Sequence, residues 1–193
     1  AEMCEMGDIK VKSIVGADDV YSNKESSRRR GVAGIFFMYK CAGACAADMG
    51  TLEEVLSAAQ KAKDNTRTVG FAMTPCVIPE IGHPNFELAE NEMAFGMGIH
   101  GEPGIWTGPV KSADELAKES LKEILQDMPV EAGEEVCVLI NGLGATSQEE
   151  LYILSGSLRK LLDERGINTY RTYTGEFATS MEMAGASISI CRM

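Results

Sequence analysis

The chain has 193 residues, enough for one large domain, or one domain with part of another, around a substantial core. Hydrophobic residues make up 45% and charged residues 24%, the proportions of an ordinary globular protein. A net charge of −11 removes the basic surface that nucleic acid or an anionic membrane would need, and leaves an uncharged substrate unhindered. The most apolar stretch, Gly31 to Ala47, contains Lys40 and is too short and polar to span a bilayer. Of the six cysteines (Cys4, Cys41, Cys45, Cys76, Cys137, Cys191) no two form a Cys-x-x-Cys pair, and only two histidines are present, so no metal site is expected. The cysteines read as reduced core thiols, and the expected location is cytoplasmic.

In chain order, Ala1–Met6 resembles the end of a helix, and Ile9, Val11, Ile14 and Val15 predict a short buried strand ending at Gly16-Ala17-Asp18-Asp19. Arg28–Ala47 reads as a helix whose apolar face is Val32, Ile35, Phe36, Tyr39, Gly43 and Ala46, with tight packing over its small residues. The basic run Arg28-Arg29-Arg30 at its start opposes the helix dipole, which favours a packing or interface role. Thr51 and Glu54 form a capping box opening a helix to about Asp64. A domain boundary is expected near Asn65–Thr68, giving 1–65 as the end of one α/β subdomain and 66–193 as a second.

Thr68–Met73 reads as a strand broken by Pro75, and Cys76-Val77-Ile78 as extended. His83, in the turn Ile81-Gly82-His83-Pro84, reads as a surface residue. Phe86–Leu88 and Phe95–Ile99 predict two paired strands, the second ending at His100. Ser112 and Glu115, then Ser147 and Glu150, form two more capping boxes, the later one opening a helix striped by Leu151, Leu154, Leu158, Leu161 and Leu162 and stopping at Gly166. Val136–Ile140, Asn168–Tyr173 and Ser187–Cys191 are further strands. Asn141-Gly142-Leu143-Gly144 superficially resembles a phosphate loop but lacks the Lys-Ser/Thr of one, and reads as a packing turn. Met93, Met97, Met181 and Met183 are expected to fill core gaps. Alternating strands and helices give an α/β fold with a layered, mixed sheet.

The segment with most chemistry is Gly96-Met97-Gly98-Ile99-His100-Gly101-Glu102-Pro103-Gly104-Ile105. Four glycines and a proline can hold an imidazole at the tip of a stiff turn, where it can act as nucleophile, base or ligand. Glu102 can orient the ring or the loop, or be a solvated turn carboxylate. With Asn91-Glu92-Met93-Ala94-Phe95 before it, this segment resembles the substrate-histidine block of the dihydroxyacetone kinase family. Arg29-Arg30-Gly31-Val32-Ala33-Gly34, Asn141-Gly142-Leu143-Gly144-Ala145-Thr146 with Glu150-Leu151-Tyr152, and Glu176-Phe177-Ala178-Thr179-Ser180-Met181-Glu182-Met183-Ala184-Gly185 resemble three more blocks of that family in the same order.

The resemblance implies the fold of that family's substrate-binding K domain and a phosphotransferase that acts on dihydroxyacetone in glycerol metabolism. It implies that His100 holds the ketone as a covalent hemiaminal, with Gly98, Gly101 and Glu102 around it and Gly104 letting the loop close. ATP or ADP with Mg is expected on a separate nucleotide-binding domain or subunit, and the complete protein is expected to be a homodimer. Two family blocks, Gly-Gly-Gly-Ser-Gly-His-Glu-Pro and Asn-Tyr-Thr-Gly-Asp, are not in this sequence. The chain is therefore expected to be a fragment that is inactive alone. Two alternatives stay open: a dihydroxyacetone-binding sensor or coactivator without kinase activity, and a kinase for a related ketose such as erythrulose. The latter is suggested by Trp106-Thr107-Gly108, which departs from the arginine-rich continuation of several family members.

Overall fold

The computed structural model describes residues 4, 7, 9–77, 79, 80, 82–102 and 104–193. It is an α/β structure in which one six-stranded mixed sheet is covered on both faces. The elements are α1 (Ile35–Ala47), α2 (Leu52–Asp64), β1 (Thr66–Ala72), β2 (Glu92–Phe95), β3 (Trp106–Pro109), α3 (Ala113–Asp127), β4 (Glu135–Gly142), α4 (Gln148–Glu164), β5 (Asn168–Gly175) and β6 (Gly185–Arg192). The strand order is β3-β2-β1-β6-β4-β5. Only β4 and β5 run parallel, joined through α4 as a crossover requires, and every other neighbouring pair is antiparallel.

Alternation along the strands sorts the two faces. Val69 and Phe71 of β1, Val136, Val138 and Ile140 of β4, and Ile188 and Ile190 of β6 point to one face. There they meet Leu116, Leu121 and Ile124 of α3 and Leu151, Leu154, Leu158 and Leu162 of α4 in the main core. On the other face Cys137, Leu139 and Cys191 pack on Ala33 and Phe37 near the start of α1. That face also carries a polar strip: Thr68 donates to Ser189 at 2.7 Å, and Asn141 reaches Ser187 at 3.3 Å. All four residues are buried and all four are bonded, so the strip carries no unmet polar group at these positions.

The three capping boxes form as the three-residue spacing predicts, with Thr51, Ser112 and Ser147 each accepting from the amide three residues on. The β4, β5 and β6 strands extend a few residues beyond their apolar cores. Four expectations fail. The segment over Ile9, Val11, Ile14 and Val15 is irregular, and Ile9 and Val15 are exposed. It finds no strand partner among the described residues except where Asp19 bridges to Thr68. Helix α1 begins at Ile35, not at Arg28, because the buried Asp18 carboxylate accepts the amides of Val32 and Gly34 at 3.0 and 2.8 Å and bends the entry. Its buried positions are Phe37 and Met38; Tyr39, Gly43 and Ala46 are exposed, and a Cβ on Gly43 would meet nothing, so the small residues are not a packing stripe there. Phe86–Leu88 is not a strand, and Phe95–Ile99 is strand only at Phe95. The partner of β2 on its outer side is β3, a four-residue edge strand whose Gly108 and Pro109 hide it in the sequence. The expected helix end over Ala1–Met6 lies mostly outside the described residues.

The basic run has a packing role but not a helical one. Arg29 is buried and makes a two-pronged pair with Asp127 at 2.8 and 2.5 Å; Asp127 also binds Arg67. Arg28 pairs with Glu25 at the surface. The thiols divide: Cys76, Cys137 and Cys191 are buried, whereas Cys41 is exposed and Cys4 and Cys45 are half-buried, so the core reading holds for three of the six. Met93, Met97 and Met183 are buried core fillers, and Met181 is exposed. Among the described residues no helix is long and apolar enough to cross a membrane.

Candidate functional site

β2 ends at Phe95, which stacks between Phe71 and Trp106 with ring centroids 6.2 and 5.4 Å away. The chain then folds back over β1: the amides of Gly96 and Met97 both donate to the Gly70 carbonyl, at 2.7 and 3.3 Å. Residues 96–105 form the loop between β2 and β3, closed where the Ile105 amide returns to the Phe95 carbonyl at 2.9 Å. His100 therefore sits at the tip of a loop anchored at both ends to the sheet.

The peptide groups of His100 are held from two sides. Its amide donates to Oε2 of Glu102 at 3.0 Å, and its carbonyl accepts from Nδ2 of Asn85 at 2.6 Å. Asn85 is itself fixed, since its Oδ1 accepts the Cys76 amide at 3.1 Å. The backbone is thus clamped while the ring is left free: the His100 side chain is 79% exposed. Its Nδ1 faces Oε1 of Glu102 at 3.6 Å, within ion-pair distance. Burial of the Glu102 carboxylate works to raise its pKa, but the amides of Glu102 and His100 and the charge of Arg30 outweigh this and hold it below its ordinary value. Glu102 is therefore an anion beside the ring, not a freely solvated turn residue.

Two glycines are required by this arrangement. A Cβ on Gly98 would land on the Glu102 carboxylate, and Gly101, at φ +77°, would drive a Cβ into the Asn85 amide. Gly98, Gly101, Glu102 and His100 thus share one loop. Asn85 is the residue that sequence reasoning missed; the signal available was an asparagine directly after His83-Pro84, a turn context in which amides commonly bond nearby backbone. His83 is exposed and only touches the Pro84 carbonyl.

The Asn141-Gly142-Leu143-Gly144 turn has no free anion cradle. The Leu143 and Ala145 amides donate to the Gly185 and Met183 carbonyls, Thr146 is bonded to both peptide groups of Gly185, and the first turn of α4 is capped by Ser147. Buried Asn141 accepts the amides of Phe177 and Ala178, each at 2.9 Å, and so ties this turn to the 176–184 loop. Among the described residues no group of three or more His, Cys, Asp or Glu is placed to hold a metal ion.

The fold is an α/β mixed sheet that presents a histidine, clamped through its backbone, on a glycine loop. The model of the Dak1 domain matches residues 1–193, and the chain belongs to that family, the K domain of dihydroxyacetone kinases. It is 38% identical over 195 residues to the "PTS-dependent dihydroxyacetone kinase 1, dihydroxyacetone-binding subunit DhaK" of Listeria innocua, covering 100% of this chain and 59% of that protein. It is 37% identical over 184 residues to the "D-erythrulose kinase" of Mycolicibacterium smegmatis, covering 94% of this chain and 32% of that one. Among solved structures, the "Dihydroxyacetone kinase operon co-activator Dha-DhaQ" superposes with a TM-score of 0.89 at 30% identity, over 99% of this chain and 60% of that one. The chain thus spans about three fifths of the length of the dihydroxyacetone-binding subunit it resembles.

Proposed function

We propose that this chain is the ketone-binding part of a kinase for a short ketose, with dihydroxyacetone as the substrate and His100 as its covalent anchor. The observation that carries the reading is the clamped backbone and exposed ring of His100 beside an anionic Glu102. The neutral ring, protonated on Nδ1, has its lone pair on the outward Nε2. That pair adds to the carbonyl carbon of the ketose, and the π pair of the C=O bond moves to oxygen. The Nδ1 proton leaves toward Glu102 and water, and the oxygen takes up one proton. The product is a neutral hemiaminal with no atom lost.

This chemistry separates ketose from glycerol, which has the same terminal hydroxyls but no carbonyl, more sharply than hydrogen bonds to a polyol could. Anchoring also fixes a terminal hydroxyl for transfer, and positioning of this kind contributes several kcal/mol to lowering a barrier (about 7 or more in the best cases). The nucleotide, ATP or ADP with Mg, belongs on a separate nucleotide-binding domain or subunit that docks on the complete protein, which we take to be a cytoplasmic homodimer. Here the transfer step is assigned to that complete assembly and not to these residues alone.

A second reading is favoured by the co-activator structure, which superposes over nearly the whole chain: the same histidine could report ketose binding without phosphorylation. The likeness to an erythrulose kinase extends the first reading to four-carbon ketoses. The test is intact-mass spectrometry of the complete protein with dihydroxyacetone, erythrulose and glycerol. A mass gain with the ketoses, none with glycerol and none in His100→Ala is expected; no gain in the wild type would overturn the anchor. Phosphoryl transfer by the complete protein with its nucleotide-binding partner then decides between kinase and sensor.

A further inference from the structure

The histidine loop rests on an arginine that the mechanism above does not use. Arg30 donates Nε and Nη2 to Oδ2 of Asp19 at 3.0 and 2.8 Å, and Nη2 also reaches the Gly96 carbonyl at 3.4 Å. The Asp19 side chain is 2% exposed, and its other oxygen accepts the Tyr21 amide at 3.1 Å. The backbone of Arg30 is fixed as well: its amide donates to Ser22 Oγ at 2.9 Å and its carbonyl accepts from the Asp19 amide at 3.2 Å. An arginine tied at both ends in this way holds one orientation.

That orientation places the guanidinium at the start of the loop. Gly96 is the residue that turns the chain over β1, at φ +82°, and Arg30 holds its carbonyl while Gly70 holds its amide. The charge of Arg30 also falls on the Glu102 carboxylate at the far side of the same loop. A simple buried ion pair would need only Asp19. The third contact serves the histidine loop, and a lysine, with its single point charge, could not make the fork on Asp19 and reach Gly96 together.

We propose that Arg30 is a positioning residue for His100. Held by Asp19, it fixes the Gly96 end of the loop and keeps the Glu102 carboxylate beside Nδ1, so that the neutral ring carries its proton there and presents its lone pair on Nε2. The functional value of this rests on the reading of His100 as the ketone anchor. The tautomer itself does not, and that separates the two in experiment.

The test uses the full chain labelled with 15N, as wild type, Arg30→Met and Arg30→Lys, above the ordinary imidazole range of pH. Long-range 1H–15N spectra give the tautomer of His100 without ketone, with a short blocked histidine peptide as the reference; the dihydroxyacetone adduct is then measured on the same samples. In the wild type the Nδ1–H form of His100 should dominate. In Arg30→Met it should fall toward the ratio of that free peptide, and the adduct should weaken by about tenfold, the scale of one charge-assisted hydrogen bond. Arg30→Lys should recover part of the loss.

A folded Arg30→Met with unchanged tautomer and adduct overturns the proposal while leaving the anchor intact. A wild type with the expected tautomer, lost in Arg30→Met, but with no adduct overturns the anchor and leaves the positioning role. If Arg30→Met does not fold, Asp19→Asn, which keeps the shape but loosens the guanidinium, is read by the same two measurements, and an unchanged tautomer and adduct there overturns the proposal equally.

Discussion

The sheet and the histidine loop are held together by different physics. The sheet is built from ladders and burial: β1, β6 and β4 pair over seven residues each, and Leu139, Ile140 and Ile188 are fully buried. The loop has few ladder bonds and little core. It is held by side chains reaching to backbone, Glu102 and Asn85 on His100 and Arg30 on Gly96. The sheet can tolerate a lost bond but not a lost volume. The loop is the reverse: each bond is one of a few, and any one of them moves the ring.

Substitutions can break that contrast. The largest effect belongs to the core: Ile188→Ala should cost about 2–5 kcal/mol in chemical denaturation, yet leave the ketone adduct of the remaining folded protein unchanged. Next is the Arg29–Asp127–Arg67 cluster. Hydrogen bonding from Arg29, opposed by burial and reinforced by Arg67, lowers the Asp127 pKa to about 2. A carboxylate depressed in the folded state stabilises it above its unfolded pKa and loses that contribution as pH falls through the folded one. Stability should therefore drop between about pH 4 and pH 2 by on the order of 2 kcal/mol. In Asp127→Asn that acid-dependent component should be missing and stability already lower at neutral pH, as acid titrations of both proteins would show.

The loop should respond the other way. Gly98→Ala displaces the Glu102 carboxylate, so ketone adduct formation by intact mass should weaken by about tenfold, while the denaturation midpoint moves by less than about 1 kcal/mol. Asn85→Ala should have the smallest global effect, about 0.5–1 kcal/mol, the net value of one hydrogen bond. Its signature would be faster amide hydrogen exchange confined to the loop around Gly101. Equal protection in wild type and variant would mean that Asn85 does not hold His100.

What the sequence made legible follows the range of the interactions. The capping boxes at Thr51, Ser112 and Ser147 act over three residues and formed as read, and the leucine stripe of α4 packs as its period predicts. The glycine loop was legible because Gly98 and Gly101 answer to local sterics. The failures are long-range. Helix α1 starts late because Asp18, well back along the chain, captures its first amides, and β3 is a strand only because β2 lies beside it. The apolar alternation over Ile9–Val15 signals burial that the described residues do not supply. Asn85 and Arg30 reach His100 and its loop from fifteen and sixty-six residues away in sequence, and neither has a local pattern that names its target.

The central claim is that His100 bonds a ketone carbon through Nε2. Its most direct measurement is 13C NMR of dihydroxyacetone labelled at the carbonyl carbon, bound to the complete protein labelled with 15N in histidine. The account predicts a tetrahedral carbon signal split by one imidazole nitrogen, lost in His100→Ala. A bound carbon that keeps its carbonyl shift, or a tetrahedral signal that survives in His100→Ala, would contradict it.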